Sequence, residues 1–261
     1  MFIIAEVGSN IFKTDSPSAN LKIAYEQIVK AKRCGADAVK FQMFTSKELY
    51  GEVYESVDKY ALPRAWVASL KECCDDNDID FMCSCFSVGG YEFIDPYVRM
   101  HKVASPEVTD VNIVAYLKRQ DKPVIWSNGC SHVSTWGHKM KDVILNCVSQ
   151  YPATEYDYDY SPPSQDSIYT WGISDHTKEL IAALITRKQG GSYFEKHVDL
   201  LRHEGNTTPD ACVSMNEIDF GHYCRVLRAH KPIDFDEQRQ EAYQLYGRKH
   251  VDGEWFRPLP S

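Results

Sequence analysis

The sequence predicts an eight-stranded α/β barrel, a (β/α)8 TIM barrel, and three observations lead to that fold class. Eight short runs of apolar and β-branched residues recur along the 261 residues. Helical or helix-length segments separate nearly all of them, and such alternation produces a parallel sheet. The chain length is close to that of a typical eight-fold barrel, and eight repeats favour a closed barrel over an open sheet.

The predicted strands and helices follow one another in a regular order. Strands are predicted at 2–8, 37–44, 79–87, 101–105, 123–129, 143–149, 170–175 and 192–198. Helices are predicted at 18–35, 63–77, 110–119, 177–189 and 216–229. The first helix has apolar residues at helical spacing and ends in Gly35. Two segments fit less well, because 129–143 is short for a full helix and 151–169 is irregular and rich in Tyr and Pro.

One catalytic domain is expected, with the barrel covering 1–231. The remaining residues, 232–261, are polar, with a short helical piece and a Pro-rich end. We expect this segment to be a C-terminal extension that packs on the barrel and not a second domain.

Charge and composition exclude several classes of protein. A net charge of −8 argues against nucleic acid or an anionic membrane as the main partner, although a small anion could still bind in a locally basic pocket. No run of eighteen apolar residues is present, and the N-terminus lacks the features of a signal peptide. We therefore expect a cytoplasmic protein with no membrane partner.

The nine cysteines are interpreted as reduced thiols, because their number is odd and their spacing shows no disulfide framework. A thiolate metal site at Cys73, Cys74, Cys83 and Cys85 is the alternative, but no CxxC pair supports it.

Polar residues cluster near the ends of the predicted strands. Side chains two residues apart share one face of a strand, and active sites of β/α barrels lie at the C-terminal ends of the strands. The residues so paired are Lys40 with Gln42, Ser127 with Gly129, Ser149 with Tyr151, Ser174 with His176, and Glu195 with His197, and Ser84 and Lys102 also lie late in their strands. Strands of a closed barrel have no solvent edge, so these residues predict a polar active site.

Two kinds of ligand suit these residues. His176 and His197 fall on neighbouring strands, so their imidazoles could bind one divalent ion, with carboxylates or water as the other ligands. Lys40 and Lys102, with nearby serine hydroxyls, suit a molecule that carries both phosphate and carboxylate. No GxGxxG or Walker motif is present, so a nucleotide site is not predicted. Asp175 faces away from His176, and we expect it to cap or brace the following helix.

Nine motifs resemble, in the same order, those of the sialic acid synthase (N-acetylneuraminate synthase) family. They are IIAEVGSN, AKRCGADAVKFQMF, IDFMCSCF, HKVASPEVTD, KPVIWSNG, CVSQYPA, GISDHT, FEKHV and TPDACVSMNEIDF. The resemblance runs from residue 2 to about residue 230. It implies a β/α barrel, which in the family is usually followed by a small antifreeze-like domain. We expect no such domain in 232–261.

The resemblance also implies a reaction. Phosphoenolpyruvate condenses with the open-chain aldehyde of an N-acyl hexosamine, giving a nine-carbon 2-keto acid and phosphate, and a divalent ion (Mn²⁺ or Mg²⁺) holds the aldehyde. By motif, His176 and His197 match the metal ligands, and Gln42 and Asp210 match contacts to the acceptor sugar. Contacts to phosphoenolpyruvate are matched by Lys40, Ser84, Lys102, Ser105, Ser127, Ser149, Tyr151 and Ser174. The candidate catalytic carboxylates are Glu107, by resemblance, and Glu195, and a homodimer is expected.

The sequence departs from the family pattern mainly on the acceptor side. Residues 11–13 are Ile-Phe-Lys where the family has His, then Asn or Glu, then Gly, and Asp15 is the nearest candidate replacement. Cys85 replaces a Pro, and Pro106 replaces a Gly before Glu107. We therefore expect an unusual aldehyde partner. The alternatives are a related phosphoenolpyruvate aldol-type synthase with another aldose or a sugar phosphate, or a homologue that binds sugar without turnover.

Overall fold

The structure, a computed structural model, describes residues 1–130, 139–163, 170–201 and 207–229, and the backbone of 249–251 and 254–256. All eight predicted strands are present and form one closed parallel barrel in chain order, which confirms the predicted fold class. The strands are β1 (Phe2–Glu6), β2 (Ala38–Met43), β3 (Asp80–Cys85), β4 (His101–Val103), β5 (Val124–Ser127), β6 (Val143–Cys147), β7 (Thr170–Asp175) and β8 (Tyr193–His197). The barrel closes where β1 pairs with both β2 and β8.

Helices connect the strands on the outside of the barrel. They are α1 (Pro17–Cys34), α2 (Ser46–Tyr50), α3 (Glu55–Asp58), α4 (Val67–Asp76), α5 (Val88–Ile94), α6 (Val111–Lys118), α7 (Ile181–Lys188) and α8 (Glu217–Arg228). All five predicted helices are present. The first has the expected ends, because the Ser16 hydroxyl accepts a hydrogen bond from the Ala19 amide and Gly35 ends the helix with φ of 101°.

Short 3₁₀ helices lie at several of the loops, and three of them bear on the site. One follows β1 (Gly8–Ile11), one follows β4 (Pro106–Thr109) and one precedes α8 (Pro209–Cys212). Two others precede α4 (Arg64–Trp66) and β4 (Asp95–Tyr97).

The barrel interior is divided into an apolar part and a polar part. Ile4, Ala38, Met82, Ile125 and Leu145 form a small buried cluster of their own. Farther along the same inward faces the residues become polar, and the inward side chain after Ile4 in β1 is the buried Glu6. The larger core packs the outer strand faces against the helices. This division leaves the polar residues gathered at the C-terminal ends of the strands.

The C-terminal extension is described only in part. Its backbone forms two short antiparallel strands, β9 (Lys249–Val251) and β10 (Glu254–Phe256). The predicted helical piece and the expected packing on the barrel lie outside the described residues, so the proposed boundary at residue 231 stays a prediction. Within the described residues, no helix is long and apolar enough to cross a membrane.

Candidate active site

A cavity of about 350 Å³ opens at the C-terminal ends of the barrel strands. Every residue predicted to contact substrate or metal lines it, and so does Glu195. The inward pairing inferred from strand alternation therefore brings these side chains together. The wall is completed by four residues that were not predicted from the sequence, Phe86, Ala104, Pro106 and Cys147.

Glu195 bridges the two predicted lysines. Its Oε2 lies 3.3 Å from Lys40 Nζ, and its Oε1 lies 3.3 Å from Lys102 Nζ. All three side chains are buried. Burial alone would raise the pKa of Glu195, but the charges of Lys102 and Lys40 outweigh it and hold that pKa below its usual range. Glu195 is therefore an ionised carboxylate that holds two ammonium groups side by side.

A second buried carboxylate, Glu6, completes this arrangement and was not selected from the sequence. Lys40 Nζ lies 2.9 Å from Glu6 Oε2, and Gln42 Nε2 donates to Glu6 Oε1 at 2.8 Å. Burial raises the pKa of Glu6 against the opposing charge of Lys40. Glu195 and Glu6 together raise the pKa of Lys40, although burial alone would lower it. Strand alternation with Ile4 could have identified Glu6 as an inward carboxylate.

Serine hydroxyls surround the ammonium groups. Lys40 donates to Ser84 Oγ at 3.1 Å, and Lys102 donates to Ser127 Oγ at 2.8 Å. Burial lowers the pKa of Lys102, because the charged form loses its hydration. These donors and hydroxyls can bind an anion that enters the cavity.

Gly129 leaves space for two more hydroxyls. A Cβ atom at this position would lie 2.5 Å from Ser105 Oγ and 2.8 Å from Ser149 Oγ, closer than such atoms approach. The glycine is therefore required by the close approach of these two serines, which extends the row of hydroxyls along one side of the cavity.

His176 has one nitrogen committed to the backbone and one directed to the cavity residues. Its Nδ1 donates to the Val148 carbonyl at 2.6 Å, which leaves Nε2 as the acceptor. Nε2 lies 3.1 Å from the Tyr151 hydroxyl and 3.3 Å from Ser174 Oγ. Burial, with a smaller contribution from His197, lowers the pKa of His176 to about 3. The imidazole is therefore neutral at physiological pH, the form that binds a metal ion.

His197 lies beside His176, with 5.4 Å between the ring centroids. Its buried Nδ1 has no hydrogen-bond partner in the part of the chain that the structure describes, and it lies 3.7 Å from Asp210 Oδ1. In the described part of the chain, no cluster of three or more His, Cys, Asp or Glu side chains forms a metal site, either here or among the cysteines considered as thiolate ligands. The donors present fit an ion held by two imidazoles, with its other ligands from substrate or water.

Asp210 is held at the cavity by the loop after β1. The amide and the hydroxyl of Ser9 each donate to Asp210 Oδ2 at 2.7 Å. Gly8 has φ of 49°, and a Cβ on it would lie 2.4 Å from the same oxygen. Only glycine suits this position, because both its backbone conformation and its close neighbour exclude a side chain.

Glu107 is the one predicted residue that does not line the cavity. Pro106 begins the 3₁₀ helix after β4 and itself contacts the cavity, whereas Glu107, the next residue, is not among those that line it. Glu107 is half-buried, and its Oε2 has no hydrogen-bond partner among the described residues. Burial raises its pKa. A role for Glu107 in the reaction requires this side chain to turn toward the cavity.

Ile11, Phe12 and Lys13, which depart from the family pattern, are not among the residues that line the active-site cavity. Ile11 is fully buried, and the Phe12 ring stacks on Trp66 with 6.1 Å between centroids. Lys13 forms an ion pair with Asp199 and donates to a backbone carbonyl. Asp15 lines a separate cavity of about 480 Å³ and is not among the residues that line the active-site cavity. Asp15 therefore does not supply a carboxylate to the active-site cavity in place of the polar family residues missing at positions 11–13.

Comparisons with known proteins agree with the fold and the motifs. A sialic acid synthetase structure from Leptospira borgpetersenii shares the fold, with a TM-score of 0.75, 23% identity, and coverage of 93% of this chain and 91% of that one. A pseudaminic acid synthase of Helicobacter pylori is 29% identical over 88% of this chain and 73% of its own length. An N,N'-diacetyllegionaminic acid synthase of Legionella pneumophila is 26% identical over 87% of this chain and 71% of its own length.

A family model covers most of the barrel and includes nearly all of the cavity residues described above. It is the model of the NeuB family, and it matches residues 27–234. The chain is therefore a member of the NeuB family.

Proposed function

We propose that this cavity condenses phosphoenolpyruvate with the open-chain aldehyde of an N-acyl hexosamine, similar to N-acetylmannosamine, to give a nine-carbon 2-keto acid and phosphate. The observation that carries the proposal is the pair of buried ammonium groups, bridged by Glu195, beside two imidazoles at one end of a closed barrel. Membership of the NeuB family and relatives named as sialic-type acid synthases support it.

The ammonium groups and hydroxyls suit the enol phosphate. Lys102 with Ser127, and the two hydroxyls beside Gly129, can donate to phosphate oxygens, while Lys40 with Ser84 can receive a carboxylate. Glu195 fixes the separation of the two cations, so they need no rearrangement as negative charge shifts during the reaction.

The proposed reaction forms one carbon–carbon bond and one carbon–oxygen bond, from water to C2, and breaks the carbon–oxygen bond from C2 to phosphate. C3 of phosphoenolpyruvate attacks the aldehyde carbon, and the aldehyde oxygen takes a proton to become a hydroxyl. Water adds to C2 and loses a proton, and the resulting tetrahedral intermediate collapses to the ketone with release of phosphate. Lys102 and Lys40 hold the pKa of Glu195 below its usual range, which makes this carboxylate a weak proton acceptor, so we assign the proton transfers to another carboxylate. Glu107 is the candidate by resemblance, and Glu6 is the carboxylate with a raised pKa that already contacts Lys40 and Gln42.

We further propose a divalent ion, Mn²⁺ or Mg²⁺, held by His176 and His197. Such an ion, when bound, would polarise the aldehyde oxygen as a Lewis acid. Nε2 of His176, which faces the Tyr151 hydroxyl at 3.1 Å, is the acceptor nitrogen that this role needs. A homodimer and a cytoplasmic location stay predictions from resemblance and composition.

Phosphate release from phosphoenolpyruvate tests the proposal. The purified chain would be assayed with N-acetylmannosamine, N-acetylmannosamine 6-phosphate and mannose, each with Mn²⁺ and with a chelator. We expect release with a neutral N-acyl aldose that depends on the metal. Release only with the phosphorylated sugar would favour the alternative synthase. If calorimetry shows that phosphoenolpyruvate binds but no sugar leads to phosphate release, a non-catalytic homologue would be favoured. If phosphoenolpyruvate does not bind and no phosphate is released, the proposal would be overturned.

A further inference from the structure

We infer that Tyr158 is a positioning residue for the active site, because its phenol holds the backbone that carries Ser174 and His176. The inference rests on the proposed function. Tyr158 comes from the irregular segment rich in Tyr and Pro, and it does not line the cavity. Tyr158 acts through Ser174 and His176, the residues on either side of Asp175, and both of these line the cavity.

The Tyr158 hydroxyl makes two hydrogen bonds to backbone. It donates to the Ser174 carbonyl at 3.0 Å and accepts from the His176 amide at 2.8 Å. The ring is buried, with 7% of its surface exposed. One phenol therefore satisfies a carbonyl and an amide two residues apart, which fixes the backbone between them.

These two backbone groups need a partner because the sheet ends beside them. The last paired residues of β6 and β7 are Cys147 and Ser174, so the backbone beyond Ser174 has no ladder partner on the β6 side. A buried carbonyl or amide without a hydrogen-bond partner destabilises the folded chain. The Tyr158 hydroxyl replaces the missing ladder contacts at the point where the functional side chains begin.

A buried ion pair holds the same segment from the β8 side. Lys196 lies between Glu195 and His197 but faces outward, and its Nζ lies 3.3 Å from Asp175 Oδ1 with neither side chain exposed. Lys196 also donates to the Thr177 carbonyl, and Asp175 accepts from the Thr177 amide at 2.8 Å and from its hydroxyl at 2.7 Å. Asp175 thus braces the turn after β7, and α7 begins only at Ile181 without a side-chain cap.

The consequence is that His176 is fixed from both sides. Its Nδ1 reaches the Val148 carbonyl, and its Nε2 faces Tyr151 and Ser174, only while its own backbone keeps this position. Functional groups must be held within about 0.5 Å of their working geometry. Loss of the Tyr158 hydroxyl would remove the hydrogen bonds at the Ser174 carbonyl and the His176 amide. The Asp175–Lys196 pair, the pairing of β7 with β8 and the hydrogen bond from the Ala153 amide to the His176 carbonyl would remain.

The chain offers a matched control for this test. Tyr160 is two residues away, its ring is 6.0 Å from the Tyr158 ring in a stacked arrangement, and its hydroxyl donates to the Glu155 carbonyl at 2.6 Å. Tyr158→Phe and Tyr160→Phe therefore remove the same atom from the same segment. Only the first removal reaches Ser174 and His176.

Hydrogen–deuterium exchange of the His176 amide measures the restraint without any need for turnover. We expect at least tenfold faster exchange in Tyr158→Phe and no change in Tyr160→Phe. Mn²⁺ affinity, measured by calorimetry, is expected to fall about 10- to 100-fold in Tyr158→Phe, the usual effect of losing a group that orients a metal ligand. Tyr160→Phe should stay within about twofold of the wild type.

Three outcomes would overturn the inference. They are equal effects of the two variants on exchange, equal effects on Mn²⁺ affinity, or faster exchange in Tyr158→Phe with unchanged Mn²⁺ affinity. If Tyr158→Phe does not fold, exchange of the His176 amide in the wild-type chain still tests the restraint, because an amide held by the buried Tyr158 hydroxyl should exchange slowly. An unprotected His176 amide in the wild type would overturn the inference. If the wild-type chain binds Mn²⁺ but releases no phosphate, the proposed condensation would be overturned and the inference about Tyr158 would stand. Wild-type chain that binds neither Mn²⁺ nor phosphoenolpyruvate would overturn both.

Discussion

Carboxylate–ammonium pairs lie on both faces of β7 and β8, although the inner ammonium groups come from β2 and β4, and the two faces use these pairs differently. On the inner face, Glu195 holds Lys102 and Lys40 at the edge of a cavity. On the outer face, Asp175 holds Lys196, and both are closed off from solvent and bonded to the following turn. Adjacent residues of the same strands thus belong to the proposed active site and to its support.

The difference lies in what each cation can still bind. The outer ammonium group has a carboxylate and a backbone carbonyl as fixed partners, so it contributes to the stability of the turn. The inner ammonium groups have a carboxylate on one side and a cavity on the other, so they can receive an anion. Replacements on the outer face should therefore change stability, and replacements on the inner face should change binding and turnover.

The outer pair should give the largest effect. Lys196→Met leaves Asp175 as a buried charge with no cation, and we expect the free energy of unfolding to fall by about 3–5 kcal/mol. Urea denaturation measures it. The double variant Lys196→Met/Asp175→Leu should recover much of the loss, because an apolar pair needs no charge compensation. A double variant as unstable as the single one would contradict this account of the outer face.

The inner face should respond in activity. Lys102→Met removes one of the two cations, while Glu195 keeps Lys40 as its partner, so the fold should tolerate the change better than Lys196→Met. We expect kcat/KM for phosphoenolpyruvate to fall about 100- to 1000-fold. Phosphate release and calorimetric binding measure it, and a loss below tenfold would remove Lys102 from the proposed anion site.

A smaller effect is expected from filling the space at Gly129. Gly129→Ala would push the hydroxyls of Ser105 and Ser149 away from their positions, and we expect KM for phosphoenolpyruvate to rise about tenfold, or about 1.4 kcal/mol. Gly89→Ala is the control, because nothing lies within 4 Å of the added Cβ. Equal KM values for the two variants would show that the row of hydroxyls does not bind the substrate.

The smallest effect concerns Glu107 and depends on pH. Its pKa is raised in the folded chain, so its favourable contribution is present at low pH and is lost as pH rises through the raised value. Glu107→Gln should therefore stabilise the chain by about 1 kcal/mol at pH 8, since partial exposure reduces the cost of the unpaired oxygen, and should change little at pH 4. Urea denaturation at both pH values measures it. A variant that is less stable at pH 8 would show that the Glu107 carboxylate has a stabilising partner.

The fold and most of the cavity could be predicted because both follow from strand alternation. Once eight strands were assigned, the rule that residues two apart share a face selected Lys40 with Gln42 and Glu195 with His197, and these side chains do meet. The same rule applied to β1 would have added Glu6. Glu6 was missed because the rule was not applied to β1, although the residue follows the pattern.

Residues outside the strands could not be placed in this way. The position of Glu107 depends on a 3₁₀ helix that begins at Pro106, and no periodicity in the sequence reports where such a turn directs its side chains. Tyr158 belongs to an irregular segment, and its hydrogen bonds to Ser174 and His176 form only in the tertiary fold, so no sequence pattern indicates them. The predicted helix at 177–189 starts late because Thr177 bonds to Asp175, which delays the first helical turn.

The carboxylate of Glu195 also bears on how the proposed product would leave. Because the Glu195 carboxylate contacts both Lys40 and Lys102, the two ammonium groups keep a negative partner when phosphate leaves. Phosphate release therefore costs less free energy than it would from two lysines without a carboxylate between them. Such a site binds phosphate less tightly in the ground state and releases it faster between catalytic cycles.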